Sequence, residues 1–267
     1  MTEDSLKGIL QEISLGPLRY FDSIGSTNDE AARWAGAGTP HLSLVVANEQ
    51  TAGRGRLGRR WFTPAGTALA FSLVLRPEFI PISQNDNPIA ITRLTALGTV
   101  AVCSALGQCY DLVTHIKWPN DVLLAGRKTC GVLAEAYWQG EHLQAAILGI
   151  GINVARDSVP PEQDILFPST CVEAALGRPV DRWELLVAVL KQLLGWLPRL
   201  SSAEFISYWE DHLAYRGEQV RIFNDCNPLI EGQLLSLDMQ GALRLRTPDG
   251  QVITLQTGEI HLRPLTD

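Results

Sequence analysis

Gly53-Arg54-Gly55-Arg56-Leu57-Gly58-Arg59-Arg60-Trp61 puts four arginines and three glycines into the eight residues 53–60 of an otherwise acidic chain. Glycine lets backbone amides come close to a ligand. Arginine forks match carboxylate and phosphate oxygens two at a time. The stretch therefore reads as a cradle for an anionic ligand. Its glycines also spell G-x-G-x-x-G, a dinucleotide fingerprint that requires a strand before it and a helix after it. A strand-like run, 42–47, does precede. On the other side lie the turn Trp61-Phe62-Thr63-Pro64-Ala65-Gly66 and then the buried-strand pattern 69–75. No helix is expected to start at Gly58, and Arg76-Pro77 stands where an acidic residue would close the next strand. The flanks thus argue against a doubly wound dinucleotide fold.

Working outward, residues 19–22 read as a strand and lead through a turn at Gly25 to Ser26-Thr27-Asn28. A short helix is expected over 29–35, with Ser26 or Thr27 as its cap. Residues 76–88 are rich in Pro and Asn and read as a surface loop. Residues 89–108 space Leu94, Leu97, Ala101 and Leu106 as one helical stripe. Strands are expected at 114–118, 122–124, 130–138 and 143–153, the last three separated by turn signals that fit an antiparallel meander. After a loop over 155–169, the capping-box patterns at 181–184 and 201–204 open helices ending near Leu197 and His212. Beyond Tyr215 the texture changes to short strands at 219–223, 230–237, 242–246 and 252–256. Tight turns at Asn224-Asp225, Met239-Gln240-Gly241 and Pro248-Asp249-Gly250 separate them, a pattern that reads as a small barrel. The expected division is 1–213 and 214–267.

Bulk properties set limits. Apolar residues make up 46% of the 267, and mean hydropathy is +0.05, so a sizeable core can be buried. The net charge of -7 speaks against a general nucleic-acid binder, which carries a broad basic face. Five scattered cysteines include no C-x-x-C pair and indicate reduced thiols in a cytoplasmic protein. The N-terminus lacks a signal pattern, and no membrane span is expected.

Three further stretches carry chemistry. In Lys117-Trp118-Pro119-Asn120-Asp121 the proline marks a strand end turning into a loop. Asn120 and Asp121 either satisfy that turn's own backbone or present polar groups to a ligand. Gly126-Arg127-Lys128 precedes the apolar run Cys130-Gly131-Val132-Leu133, so Lys128 could reach into a pocket or lie in solvent. Gly149-Ile150-Gly151-Ile152-Asn153 places two glycines in an apolar strand. They imply a bulge, a closely approaching ligand or tight strand packing.

Together these stretches resemble the biotin protein ligases. Ser26-Thr27-Asn28, the run from Glu49 to Arg56, Lys117 to Asp121, Arg127-Lys128 to Gly131, and Gly149 to Asn153 match in the family's order. The tail from Gly258 to Arg263 resembles the end of the family's C-terminal domain. The resemblance covers the chain from about residue 18 and implies an α+β fold. Its core is a mixed sheet with flanking helices, like that of class II aminoacyl-tRNA synthetases, with an SH3-like barrel after it.

The implied activity joins biotin to ATP as biotinyl-5'-AMP, then moves biotin to a lysine of a carboxylase's biotin carboxyl carrier protein domain. By the resemblance, Ser26, Thr27, Asn28 and Gln50 contact biotin, with Gly53 in the same loop. Arg54, Gly55 and Arg56 hold the biotin carboxylate and adenylate phosphate. Lys128 bridges carboxylate and α-phosphate, and Gly131 lets the biotin ring lie against its strand. Trp61 packs on adenine, Lys117, Asn120 and Asp121 serve phosphate or metal, and Asn153 faces the nucleotide. Arg56 and Lys128 are the implied catalytic pair. Mg²⁺ is expected with ATP, without dedicated ligands beyond Asp121.

Only about twenty residues precede the first core strand, so the form without an N-terminal DNA-binding domain is expected, with no DNA partner. A sheet edge would permit a homodimer. The competing readings are a lipoate or octanoate ligase or transferase on a related fold, and a biotin sensor that performs no chemistry.

Overall fold

The structure is a computed structural model. It describes residues 1–81, 87–161, 167–224, 227–256 and 260–264. Asp225 of the expected turn, Gly258 and Glu259 of the tail motif, and parts of the loops expected at 76–88 and 155–169 lie outside the described residues.

The first sheet has seven strands: β1 (Leu18–Phe21), β2 (Ser43–Ala47), β3 (Ala68–Leu75), β4 (Thr114–Lys117), β5 (Asp121–Leu124), β6 (Arg127–Gln139) and β7 (His142–Asn153). Their order is β1-β2-β3-β7-β6-β5-β4. Of this sheet's strand pairs only β1–β2 is parallel, so the sheet is mixed; β5 to β7 form the expected meander, and β4 extends it. All eight residues of β3 are buried. A continuous apolar run of this kind needs cover on both faces, and both faces are covered. On one, α3 (Asn87–Tyr110) lays Leu94, Leu97, Val100 and Leu106 into the main core. A side chain at Gly98 would strike Val132 Cγ1 at 2.7 Å, so this glycine brings α3 down onto β6. On the other face, α2 (Thr27–Gly36) buries Ala31 and Ala35 against Val45, Val74 and Ile147.

Beyond the sheet lie α4 (Val172–Leu176), α5 (Arg182–Trp196) and α6 (Ala203–Asp211). The last two begin at caps whose side chains accept amide hydrogens, Asp181 from Trp183 and Ser202 from Phe205. Three expectations change. α3 starts at Asn87, inside the stretch read as loop, because proline is tolerated in a helix's first turn. A helix not foreseen, α1 (Glu3–Ile9), is capped by Thr2 and buries Leu6. The five-residue α4 was also unforeseen and closes on Gly177, whose φ is +70°.

The second sheet is antiparallel and five-stranded, ordered β11-β10-β9-β8-β12. It comprises β8 (Gln219–Asn224), β9 (Asn227–Leu237), β10 (Leu243–Arg246), β11 (Val252–Leu255) and β12 (Ile260–Pro264). Val220, Ile222, Leu234, Leu243 and Leu245 are buried and join the main core. The β9–β10 turn touches the first sheet's elements. Trp118 Nε1 donates to the Gly241 carbonyl at 3.1 Å, and the Arg93 guanidinium donates to the carbonyls of Leu200 and Met239.

Candidate active site

The start of α2 forms one wall. Ser26 caps the helix, and Ser26, Thr27 and Asn28 are all buried. Buried polar groups require partners, and each has one. The Thr27 amide and hydroxyl donate to Gln50 Oε1 at 2.8 and 3.1 Å, and Gln50 Nε2 donates to the Thr63 hydroxyl at 3.1 Å. Asn28 accepts from the Ser72 hydroxyl at 2.6 Å. Its amide donates to the Leu133 carbonyl at 3.3 Å and to Glu135 Oε2 at 2.7 Å.

The glycines of β6 and β7 form the floor. A Cβ at Gly149 would fall 2.0 Å from Asn28 Oδ1, and one at Gly151 would fall 2.3 Å from the Trp61 indole. Gly131 is the cross-strand partner of Gly151, and its Cβ would meet Trp61 at 2.9 Å. Two opposed positions without side chains make a trough, and Trp61 lies in it. The pairing has no bulge here, so the Gly149 and Gly151 signal reports close approach by Asn28 and Trp61.

A charged corner closes the far side. The turn after β4 delivers Lys117 and Asp121, and the β5–β6 hairpin delivers Lys128. Lys128 Nζ sits 2.6 Å from Asp121 Oδ1, and Lys117 Nζ sits 3.5 Å from Asp121 Oδ2. Asn120 fixes the turn by donating to the Val132 carbonyl at 3.1 Å and accepting from Arg56 Nη1 at 3.3 Å. Burial pushes the Asp121 carboxyl up, but Lys128 and Lys117 outweigh it and hold it below the ordinary carboxylate value. Burial also makes the Arg56 guanidinium easier to deprotonate than usual, with Asp121 opposing. Three cations thus surround one carboxylate in a half-dry corner, an excess of positive charge that suits anions.

The arginine loop covers this corner. Its backbone turns through Arg56–Gly58, where Leu57 adopts a left-handed φ of +58°. Gly53 accepts from the Trp61 amide at 2.8 Å, and a Cβ there would hit the Trp61 carbonyl at 2.5 Å.

Of the residues expected at the site, Ser26, Thr27, Asn28, Gln50, Arg54, Gly55, Arg56, Trp61, Lys117, Asn120, Asp121, Lys128 and Gly131 line a single cleft. Gly53 shapes the loop without lining the cleft. Asn153 lines an adjoining cleft with Phe62, Phe167 and Ser169, and donates to the Thr170 carbonyl at 3.1 Å. Trp61, Lys117, Asp121 and Lys128, with Gln50, Arg59 and Arg60, belong to both clefts and stand at their junction.

Arg54 lines the cleft and is already paired within the protein. Its guanidinium forks onto both oxygens of Glu135 at 2.7 Å and also pairs with Asp29 at 2.7 Å. Two of the protein's own carboxylates hold it. Glu135, Asp29 and Phe167 escaped the sequence reading. Glu135 left a signal, a carboxylate in register with Gly131 and Leu133 on an apolar strand with period two.

Known proteins of one family resemble the chain in sequence and in fold. The model of the Biotin/lipoate A/B protein ligase family matches residues 20–153. The chain is 35% identical over 237 residues to a biotin–[acetyl-CoA-carboxylase] ligase of Paracoccus denitrificans, covering 85% of this chain and 93% of that one. It is 32% identical over 247 residues to the bifunctional ligase/repressor BirA of Bacillus subtilis (strain 168), covering 91% and 73%. Among solved structures, the biotin protein ligase from Aquifex aeolicus in complex with biotin and ATP superposes with a TM-score of 0.78 at 29% identity, covering 93% of this chain and 99% of that one. The chain belongs to the biotin/lipoate A/B protein ligase family.

Proposed function

We propose that this protein is an ATP-dependent biotin ligase that forms biotinyl-5'-AMP and passes biotin to a lysine of a carboxylase's biotin carboxyl carrier domain. One observation carries the reading. Lys128, Lys117 and Arg56 surround Asp121 where two clefts meet, with Trp61 as the shared wall. Biotin takes the cleft lined by Ser26, Thr27, Asn28 and Gln50, and ATP takes the cleft that reaches Asn153. A biotin carboxylate oxygen attacks the α-phosphorus, and pyrophosphate leaves with the electron pair of the broken P–O bond. Both reactants are anions, so fixed positive charge at their meeting point lowers the barrier. Lys128 and Arg56 supply it, and Asn120 orients Arg56. In the second step the acceptor lysine's neutral amine attacks the acyl carbon, AMP departs, and the amine's proton goes to solvent.

Mg²⁺ would be held by ATP's phosphates and water with Asp121 as the carboxylate that lines both clefts among the described residues, a donor set that fits the ion. When bound it would offset phosphate charge. Among the described residues no cluster of three or more His, Cys, Asp or Glu offers an alternative site.

The finer architectural readings belong to the same proposal. The first sheet is the class II synthetase-like core of a domain spanning 1–213, and the second is an SH3-like barrel spanning 214–267. β5 pairs with β6 only as far as Gly131, and the remaining strand edge would permit a homodimer. The charge of -7 supports a role without DNA. Cys103, Cys130 and Cys171 are buried free thiols, which supports a reducing, cytoplasmic setting. No helix among the described residues is long and apolar enough to cross a membrane.

The test offers a carrier domain, ATP and either biotin or lipoate to the protein. Biotin-labelled carrier is expected. Labelling by lipoate alone would replace this reading with the lipoate alternative, and biotin binding without pyrophosphate release would favour a sensor.

A further inference from the structure

Glu135 sits outside the cleft lining, yet it joins two of its parts. Its Oε2 accepts from Asn28 Nδ2 and from Arg54 Nη2, both at 2.7 Å, while Oε1 accepts from Arg54 Nη1 at 2.7 Å. Asn28 is buried in the first turn of α2, held on its other side by Ser72. Arg54 belongs to the loop that covers the cleft. An unbroken path of hydrogen bonds therefore runs from the wall, through one carboxylate, to the cover.

An exposed lysine–carboxylate pair in this position would mean little, since such pairs contribute almost nothing. This one differs in geometry. Both oxygens are engaged by a planar fork, which fixes direction as well as distance, and a buried amide shares the acceptor. Glu135 and Arg54 remain only 33% and 40% exposed. Asp29 is the looser second partner of Arg54, at 61% exposed.

We infer that Glu135 is a positioning residue for the reaction, tying the placement of Asn28 in the biotin wall to the placement of the arginine loop over it. The inference rests on the biotin-ligase reading. A contact that pulls on Asn28 also pulls on Oε2, and so on Arg54 and the loop. Without the carboxylate, Arg54 turns to Asp29 and the loop loses its register over the wall.

The test is biotin-dependent exchange of pyrophosphate into ATP, measured across biotin concentrations. Glu135→Gln is expected to raise KM for biotin about tenfold with kcat changed by no more than about twofold, the signature of lost positioning rather than lost chemistry. Asp29→Asn should leave KM within about twofold. Arg54→Lys keeps the charge and loses the fork, so it should also raise KM. Because both residues serve one network, Arg54→Lys added to Glu135→Gln should make KM no worse than Glu135→Gln alone. An unchanged KM in a folded Glu135→Gln protein, or effects that simply add, would overturn the inference. Wild-type protein without biotin-dependent exchange would overturn the ligase reading, and this inference with it.

Discussion

Two regions bring positive charge to the same cleft by opposite means. The Lys117–Asp121 corner is buried: Lys117 and Asp121 are 5% and 7% exposed, and Asn120 fixes the turn's backbone. The loop at 53–60 stands over it with Arg54 partly exposed, Leu57 exposed and strained in the left-handed region, and a few backbone bonds of its own. Charges in the corner are desolvated, and each is held in place by its opposite. On the loop Arg54, Arg59 and Arg60 are exposed, and only Arg56 reaches into the desolvated corner. Only fixed charge assists a transition state without reorganising, whereas admitting a ligand needs something that opens. The molecule places the first property at strand ends and the second on a glycine-rich loop.

The sharpest test separates the two regions through one residue from each. Lys128→Ala removes the cation nearest Asp121 and should lower kcat for adenylate formation by about a hundred- to thousandfold, with binding of biotin little altered. Arg56→Ala, on the loop but half of the charged corner, should lose kcat and also bind biotin more weakly. Rapid-quench measurement of biotinyl-AMP, with circular dichroism to confirm folding, checks both. Equal losses in kcat and in biotin binding for the two variants would erase the distinction between corner and loop.

A second test concerns stability. Replacing Asp121 with Asn leaves Lys117 buried beside Lys128 with no carboxylate between them. Removing one member of a buried pair costs about 3 kcal/mol, so chemical denaturation should show a loss of this order. The pH dependence has a definite sign. The folded-state pKa of Asp121 lies below its ordinary value of 3.8 because Lys128 and Lys117 overcome the effect of burial. Its contribution is therefore fully present above pH 3.8 and drains away as pH falls through the folded pKa. Asp121→Asn should flatten that acid limb. A variant that loses stability in parallel with wild type across the limb would show that the corner is not held by this charge.

Much of the fold is legible in the sequence, and the reasons are local. β3 declares itself by eight apolar or small residues in a row, the meander by its turn residues, and α5 and α6 by their capping boxes. α1 is missed because seven residues carry too little periodicity to stand out. The start of α3 is missed because Pro88 and its neighbours imitate a loop. At the site, most of the residues inside recognisable motifs line one cleft or the cleft adjoining it. Glu135 and Phe167 are not, since each lies far along the chain from the groups it meets. What sets the role of Arg54 is likewise not in its own motif. A guanidinium fork accepts any nearby carboxylate, and the nearest are 81 residues away at Glu135 and across the cleft at Asp29.

The smallest expected effect bears on the loop's mobility. Its backbone rests on the Gly55 amide to the Arg59 carbonyl, the Arg59 amide to the Arg56 carbonyl, and the Trp61–Gly53 bond. Ordering glycine-rich backbone costs about 1–2 kcal/mol per residue, and left-handed Leu57 adds strain. Three backbone bonds, each contributing about 1 kcal/mol net, do not offset that over eight residues and leave the loop dependent on its side-chain anchors at Arg54, Arg56 and Arg60. The loop should therefore open often without ligand and close when an adenylate's carbonyl and phosphate engage Arg56 and Lys128. Hydrogen exchange should show amides of 53–60 gaining protection on addition of biotinyl-AMP, while those of β5 and β6 at the corner, already protected, change little. Equal protection of the loop in both states would mean that it is as fixed as the corner, and the contrast between the two regions would reduce to burial alone.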